Sequence, residues 1–102
     1  MSRSPDRVRY DVVSERVGEI LHYIWDPIGV AKVPQARDEY DGYIPLIVQM
    51  LIERKKKSDI AHHLRSIAAE RMGLSVTAAS DSHDEEVAEI LIAHYEWIEE
   101  RG

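Results

Sequence analysis

The chain has 102 residues, contains no cysteine and carries a formal net charge of -6 at pH 7. Its length is typical of one domain with a single core, and without cysteine it can form neither disulfides nor thiolate metal sites. The acidic balance argues against nucleic acid as a partner, because neutralising phosphate groups requires a basic surface.

The distribution of charge and hydropathy indicates the kind of partner and the cellular compartment. Residues 81–102 hold eight acidic side chains against one arginine, and the rest of the chain is nearly neutral. These acids either solvate one helix or favour a basic protein partner. The first residues contain no apolar leader segment, and the longest apolar run is far shorter than the roughly 18 residues of a membrane span. We therefore expect a cytoplasmic protein with no membrane segment.

The first predicted helix covers about residues 10–25. Its apolar residues follow the spacing of a buried helix face: Val13, Val17, Ile20, Leu21 and Ile24. Gly18 lowers the stability of this helix by about 1 kcal/mol relative to alanine. Pro27 ends it, because a residue that precedes proline is disfavoured in the helical conformation. We expect residues 1–9 to be a flexible terminus and residues 10–102 a single helical domain.

The second predicted helix covers about residues 40–56 and is apolar on two faces. One face carries, at helical spacing, Tyr40, Ile44, Ile47, Val48, Leu51 and Ile52. Tyr43, Leu46 and Met50 lie on nearly the opposite side. A helix with two apolar faces is either central or covered by something else. We expect this helix nearest the middle of the bundle, with its second face covered by the preceding loop, a partner protein or a second copy of the chain.

The last two predicted helices cover about residues 59–72 and 83–100. Ser58 is a good N-cap for the third helix, and Gly73 is a typical C-terminal stop. The fourth helix opens at Ser82 with the capping-box pattern Ser-x-x-Glu. No alternation typical of strands is present. The fold class is therefore predicted to be all-α, a single-domain bundle of about four helices.

The connection between the first two helices has an unusual composition. Residues 25–43 read WDPIGVAKVPQARDEYDGY, which combines large aromatic side chains, prolines, glycines and four carboxylates. We expect a long ordered loop, because loops with this kind of composition often carry functional residues. Five of its residues are assigned to a structural motif that closes the core and fixes the loop: Trp25, Asp26, Pro27, Gly29 and Tyr40.

The histidines invite an acid–base hypothesis. His94 lies in the middle of the apolar stripe of the fourth helix, and it would be a general base if a carboxylate oriented it. The simpler interpretation is a core histidine that has found a hydrogen bond. His22 and His83 are expected to face solvent or to cap helices.

A metal site is the other chemical hypothesis. Asp59, His62 and His63 are spaced i, i+3, i+4, which resembles part of a helical metal site but lacks the further ligands that a stable site needs. No nucleophile elbow or phosphate-binding glycine loop is present. We predict no catalytic residue, no metal and no cofactor.

Three sequence motifs resemble those of a family of small bacterial cytosolic proteins of unknown function. They are WDPIGV at residues 25–30, DEYD at 38–41 with Tyr43 two residues later, and ERMGL at 70–74. The resemblance covers about residues 20–74 and, loosely, the last helix. It implies a helical fold and a bacterial source, and it transfers no activity.

The leading functional hypothesis is a non-enzymatic protein-binding module. In bulk the chain is similar to the nuclease-colicin immunity proteins, which are acidic four-helix proteins of about this length, although it lacks their Tyr-Tyr-Pro sequence. The predicted partner is a basic toxin domain, steered by acidic groups and held by aromatic and methionine side chains. The predicted interface consists of Asp38, Glu39, Asp41, Tyr43, Leu46 and Met50.

Two alternatives remain open at the level of sequence. One is a small-ligand-binding protein or an enzyme that uses a pocket between residues 25–41 and the second and fourth helices. That pocket would be lined by Trp25, Asp26, Asp41 and His94. Its test is geometric, because His94 and a loop carboxylate must come within hydrogen-bonding distance in a cleft open to water. The other alternative is a homodimer that hides the second face of the second helix.

Overall fold

The computed structural model describes residues 4–26, 40–75 and 77–101. All regular structure in these ranges is helical, so the all-α prediction of about four helices is confirmed. The elements are α1 (Ser4–Ile20), a π-helical turn (Leu21–Trp25), a 3-10 turn (Asp41–Tyr43), α2 (Ile44–Ile52), α3 (Lys57–Ser66), a second π-helical turn (Ile67–Arg71) and α4 (Ala78–Arg101). None of the described helices is both long and apolar enough to cross a membrane.

Helix α1 begins earlier than predicted and approaches α2 closely. Its backbone is helical from Ser4 instead of from residue 10. A Cβ atom added at Gly18 would lie 3.1 Å from Ile44 Cδ1, a tight contact. The glycine therefore does more than weaken the helix, because its missing side chain makes room for α2.

The first π turn decides which side chains at the end of α1 enter the core. The backbone N–H of Asp26 donates to the carbonyl of Leu21 at 2.9 Å, which widens the turn by one residue. This widening rotates Trp25 toward the centre of the buried stripe and Ile24 away from it. Ile24, predicted for the core, is accordingly 40% exposed, whereas Trp25 is only 2% exposed.

His22 lies in the same π turn and corrects another prediction. It was expected to face solvent or to cap a helix, but it is buried, and neither of its ring nitrogens has a hydrogen-bond partner within the described residues. Its ring instead makes an edge contact with Tyr23, with the ring centroids 4.4 Å apart.

Helix α4, not α2, is the central element of the bundle. It packs against α1, α3 and the first π turn, and more lightly against α2. The reason is length, since a helix of 24 residues extends about 36 Å and can lie along several neighbours, whereas α2 has nine residues. The buried apolar side chains of α4 are Val87, Ala88, Leu91, Tyr95 and Ile98.

Both predicted N-caps of the later helices are wrong. Helix α3 begins at Lys57, so Ser58 lies inside it, and its N-cap residue makes no side-chain bond. Helix α4 begins at Ala78 because Thr77 and Ser80 cap each other. The Thr77 N–H donates to Ser80 Oγ at 2.8 Å, and the Ser80 N–H donates to Thr77 Oγ1 at 3.0 Å. This earlier box prevails over the Ser-x-x-Glu pattern at Ser82.

The two helix ends in the middle of the chain differ in how well they were predicted. Gly73 adopts the left-handed conformation with φ 68°, as expected of a C-terminal stop. Helix α2 ends at Ile52 instead of near residue 56. There Arg54 takes the left-handed conformation with φ 61°, and the Lys55 N–H donates back to the Met50 carbonyl at 3.0 Å. An arginine is an uncommon residue at that position, which is why the sequence does not reveal this stop.

Candidate functional site

Part of the predicted site falls outside the described residues. These positions are Asp38 and Glu39 of the predicted interface, and Pro27 and Gly29 of the predicted structural motif. The remaining interface residues lie at the start of α2 and along its outer face. Asp41 is exposed in the 3-10 turn, Tyr43 and Met50 are half-buried against the core, and Leu46 is 53% exposed.

A groove separates α2 from α3, two helices that are not closely packed against each other. It has a volume of about 460 Å³, and we call it the α2–α3 groove. Its walls are Gly42, Tyr43 and Leu46 on one side and His63, Ser66, Ile67, Glu70 and Arg71 on the other. The structure therefore places Tyr43 and Leu46 in the wall of one hollow, with polar groups across from them.

The aromatic wall of this groove is held in place from behind. Tyr43 meets Trp25 edge to face, with ring centroids 6.4 Å apart. Since Trp25 is a core residue, the Tyr43 ring has a fixed support. An aromatic side chain fixed in this way loses little conformational entropy when a partner binds.

The opposite wall contributes charge and a neutral imidazole. Glu70 and Arg71 are both exposed. Burial lowers the pKa of His63 below its ordinary value of 6.5, and the nearby positive charges of His62 and Arg71 lower it further. The neutral imidazole is therefore favoured more strongly here than in a solvated histidine, and in that form His63 can both donate and accept a hydrogen bond.

The described residues of the structural motif tie the two ends of the connecting segment together. The Tyr40 hydroxyl donates to Asp26 Oδ1 at 2.9 Å, and the Tyr40 ring packs on Trp25 with centroids 5.4 Å apart. Both Trp25 and Tyr40 are buried, and Asp26 adopts the left-handed conformation with φ 37°. Short polar side chains such as Asp tolerate that conformation better than most residues.

A second hollow contains residues that sequence reasoning missed. The Trp25 indole N–H donates to Asp84 Oδ1 at 3.0 Å, and Asp84 is only 6% exposed. Beside this pair lies a cavity of about 260 Å³, which we call the Trp25–Asp84 cavity. It is lined by Trp25, Arg65, Ala68, Leu74, Ser75, Ser80, His83 and Asp84.

The electrostatic state of Asp84 reflects its burial. Desolvation raises the pKa of this carboxyl group above its ordinary value, and the nearby Asp81 acts in the same direction. The hydrogen bond from Trp25 and the charges of His83 and Arg65 lower the pKa, but burial is the largest influence. The neutral acid is thus favoured more strongly here than in a solvated aspartate.

The spacing of residues in α4 indicates that Asp84 is buried. The residue lies three positions before Val87 and seven before Leu91, so it continues the buried stripe of α4 toward the N-terminus. A helix that starts near residue 83 would have Asp84 in its first turn. Because α4 begins at Ala78, the same residue lies in the second turn and points into the bundle.

His83 fastens α4 to the end of the first π turn. Its Nε2 lies 2.8 Å from the carbonyl oxygen of Ile24 and 3.2 Å from that of Trp25. Because both neighbours are acceptors, Nε2 carries the proton in this arrangement. These carbonyls belong to the last residues of a helix, where carbonyl groups have no hydrogen-bond partner within the helix itself.

Two residues of the pocket in the sequence alternative, Trp25 and His94, have different surroundings in the structure. His94 lies about 15 Å along α4 from Asp84, and its Nδ1 is 2.8 Å from Arg16 Nη1. Trp25 is brought together with Asp84 and His83 instead of with His94. The described loop carboxylate Asp26 accepts a hydrogen bond from the Tyr40 hydroxyl.

The candidate metal ligands do not converge. Across the described ranges, no three His, Asp or Glu side chains are placed so that they could hold a metal ion. In the predicted trio, His62 Nδ1 lies 3.0 Å from Arg65 Nη2.

Comparisons with known proteins return no relatives. No family model, no curated protein and no solved structure matches the chain. The resemblance of residues 25–43 and 70–74 to a bacterial family therefore stays a prediction.

Proposed function

We propose that this chain is a non-enzymatic protein-binding module whose binding face is the α2–α3 groove together with Asp41 and Met50 of the predicted interface. The observation that carries the proposal is the position of Leu46. This large apolar side chain is 53% exposed at the mouth of a groove of about 460 Å³. Exposed apolar surface that is bordered by polar groups is typical of protein interaction sites.

The groove offers the features of an interface anchor point. Tyr43 is an aromatic wall supported by Trp25, and Leu46 lies beside it. Aromatic residues in well-packed positions supply much of the binding energy of protein interfaces. Across the groove, His63 and Ser66 supply hydrogen-bonding groups that can fix the orientation of a bound segment.

The most concrete form of the proposal is an immunity protein that binds a basic toxin domain in a bacterial cytoplasm. The net charge of -6 and the exposed carboxylate of Asp41 at the start of α2 support a basic partner. Charges of this kind accelerate association and are screened by salt. The absence of cysteine is consistent with a reducing compartment.

The test uses the protein encoded beside this gene as the candidate partner, with binding measured by calorimetry. We expect Leu46→Ala to weaken binding by about tenfold or more, since truncating an interface anchor commonly costs 1–2 kcal/mol or more. Ile52→Ala is the matched control, because Ile52 is a similarly exposed residue of α2 (45%) that is not in the groove wall.

Two further results decide the outcome. Added salt should slow association while leaving the order of the two variants unchanged. Equal binding by the wild type and Leu46→Ala, or an equal loss in Ile52→Ala, would show that the groove is not the binding face.

A further inference from the structure

The Trp25–Asp84 cavity contains a buried acidic group with unused acceptor capacity. Within the described residues, the Asp84 carboxyl group accepts one hydrogen bond, from the Trp25 indole N–H at 3.0 Å. A carboxylate offers about four acceptor positions, so most of those of Asp84 are unused. The group is 6% exposed and borders the cavity. A bound donor that carries positive charge would complete its environment.

A second charged group borders the same cavity. Arg65 Nη1 forms an ion pair with Asp81 Oδ1 at 3.4 Å, and Arg65 Nη2 lies 3.0 Å from His62 Nδ1. A guanidinium group has five N–H donors in a planar fork that matches a carboxylate. Arg65 therefore retains donors for an anionic group.

The remaining lining limits the size and polarity of a ligand. The volume of about 260 Å³ lies below the roughly 300–1,000 Å³ of sites for drug-sized molecules. Apolar surface is supplied by Trp25, Ala68 and Leu74. His83 is engaged by backbone carbonyls through Nε2. The cavity thus suits a small molecule with one apolar group and two charged ends.

The charge pattern selects against simpler ligands. An amine without an acid would leave the remaining N–H donors of Arg65 unpaired, whereas an anion without an amine would meet repulsion from Asp84. A zwitterion satisfies both charged groups and brings no net charge into the cavity.

We infer that the Trp25–Asp84 cavity binds a free amino acid with a small aliphatic side chain. The ammonium group donates to the Asp84 carboxylate, the carboxylate of the ligand accepts from Arg65, and the aliphatic group packs on Trp25, Ala68 and Leu74. This site is independent of the proposed protein interface, because the cavity and the α2–α3 groove have no lining residue in common.

The fluorescence of Trp25 gives a direct readout of binding. The chain has two tryptophans, so Trp97→Phe leaves Trp25 as the only one. Titration of this variant with L-valine should produce a saturable change in emission, which calorimetry on the wild-type protein then confirms. N-acetylvaline, which lacks the ammonium group, and valinamide, which lacks the carboxylate, should each bind at least about tenfold more weakly.

Substitutions in the cavity separate the two ionic contacts. Asp84→Asn keeps an acceptor for the Trp25 indole but removes the charge, and Arg65→Gln removes the guanidinium. Each should weaken valine binding by at least about tenfold. Glu85→Gln is the control, since Glu85 is the exposed neighbour of Asp84 and is not in the cavity wall. Circular dichroism and thermal melting establish that each variant is folded.

Several outcomes would overturn the inference. One is the absence of a saturable change at millimolar valine. Another is binding that survives both Asp84→Asn and Arg65→Gln in folded protein. Equal affinity for valine and valinamide would also overturn it, because the site would then recognise an amine and not an amino acid. Leu46→Ala should leave valine binding unchanged, because Leu46 does not line the cavity. Loss of partner binding in this variant and loss of valine binding in the cavity variants therefore report on two separate sites.

Discussion

The α2–α3 groove and the Trp25–Asp84 cavity are both lined by residues of the second π turn, but they differ in how exposed their walls are. Ile67 borders the groove, and Ala68 borders the cavity. The groove is edged by exposed side chains such as Leu46 and Glu70, whereas the cavity is built on two buried residues, Trp25 and Asp84. The two regions should therefore respond differently to substitution, since changes in the groove should act on binding and changes around the cavity should also act on folding.

The largest expected effect is on the cavity side. Trp25→Ala removes a buried indole that packs on Tyr40 and donates to Asp84. We expect a loss of about 3–5 kcal/mol in the free energy of unfolding, measured by urea denaturation. A loss no larger than that of a surface substitution would show that the tryptophan does not organise this end of the core.

The next prediction concerns the pH dependence that Asp84 imposes. Because burial raises its folded-state pKa above the ordinary value of 3.8, the folded protein binds more protons than the unfolded chain between these two pKa values. Stability is therefore lost as the pH rises through that window. Asp84→Asn removes this dependence, and without added ligand it should melt at a higher temperature than the wild type at pH 7.

The gap between Asp84→Asn and the wild type should close below pH 3.8, where the carboxyl group is protonated in both states. Glu85→Gln, at the exposed neighbouring position, should retain the wild-type pH profile. If Asp84→Asn is instead less stable at pH 7, the charge of the carboxylate stabilises the fold through Trp25.

His63 in the groove should show a smaller effect of opposite sign. Burial lowers its folded-state pKa below 6.5, so the unfolded chain binds more protons than the folded protein between the two values. Stability should fall as the pH decreases from 6.5 through that lowered pKa. His63→Gln should flatten this part of the stability profile, as measured by urea unfolding across the window. An unchanged slope would show that His63 is as solvated in the folded protein as in the unfolded chain.

The smallest effect on stability is expected at the mouth of the groove. Leu46→Ala should change the free energy of unfolding by no more than about 0.5 kcal/mol, because half of the side chain is exposed and it borders no closed core. Urea denaturation beside Ile52→Ala checks this value. A loss comparable to that of Trp25→Ala would make Leu46 a core residue and remove the contrast between the two regions.

Hydrophobic periodicity was sufficient to predict much of the fold. The apolar spacing of the first helix predicts Val13, Val17, Ile20 and Leu21 as buried residues, and the structure buries all four. Gly73 gave the end of the third helical segment. These features depend on local spacing or on a single backbone conformation, which a sequence displays directly.

Features that depend on contacts between distant residues were not predicted. The exposure of Ile24 follows from a π turn that brings Trp25 to Asp84, which is 59 positions away in the chain. The central place of α4 follows from its start at Ala78, five residues before the predicted one. Asp84 was overlooked because an acid near a helix start has an ordinary local explanation, and only tertiary packing shows it to be buried.

The candidate site was predicted in part for a related reason. Two apolar faces on α2 led to Leu46 and Tyr43, but not to the opposite wall of the groove, which α3 and the second π turn supply. A single helix reveals which of its faces lacks a partner. The shape of the hollow beside that face depends on how the neighbouring helix crosses it, and this crossing has no signature in the spacing of residues.

Amide hydrogen exchange on the free protein and on its complex with the candidate partner would show whether the partner covers the α2–α3 groove. We expect slower exchange in the complex along both walls of the groove, at residues 42–46 and 63–71, and little change at residues 80–84 beside the cavity. Protection confined to residues 80–84, or to a surface that includes neither groove wall, would contradict this expectation.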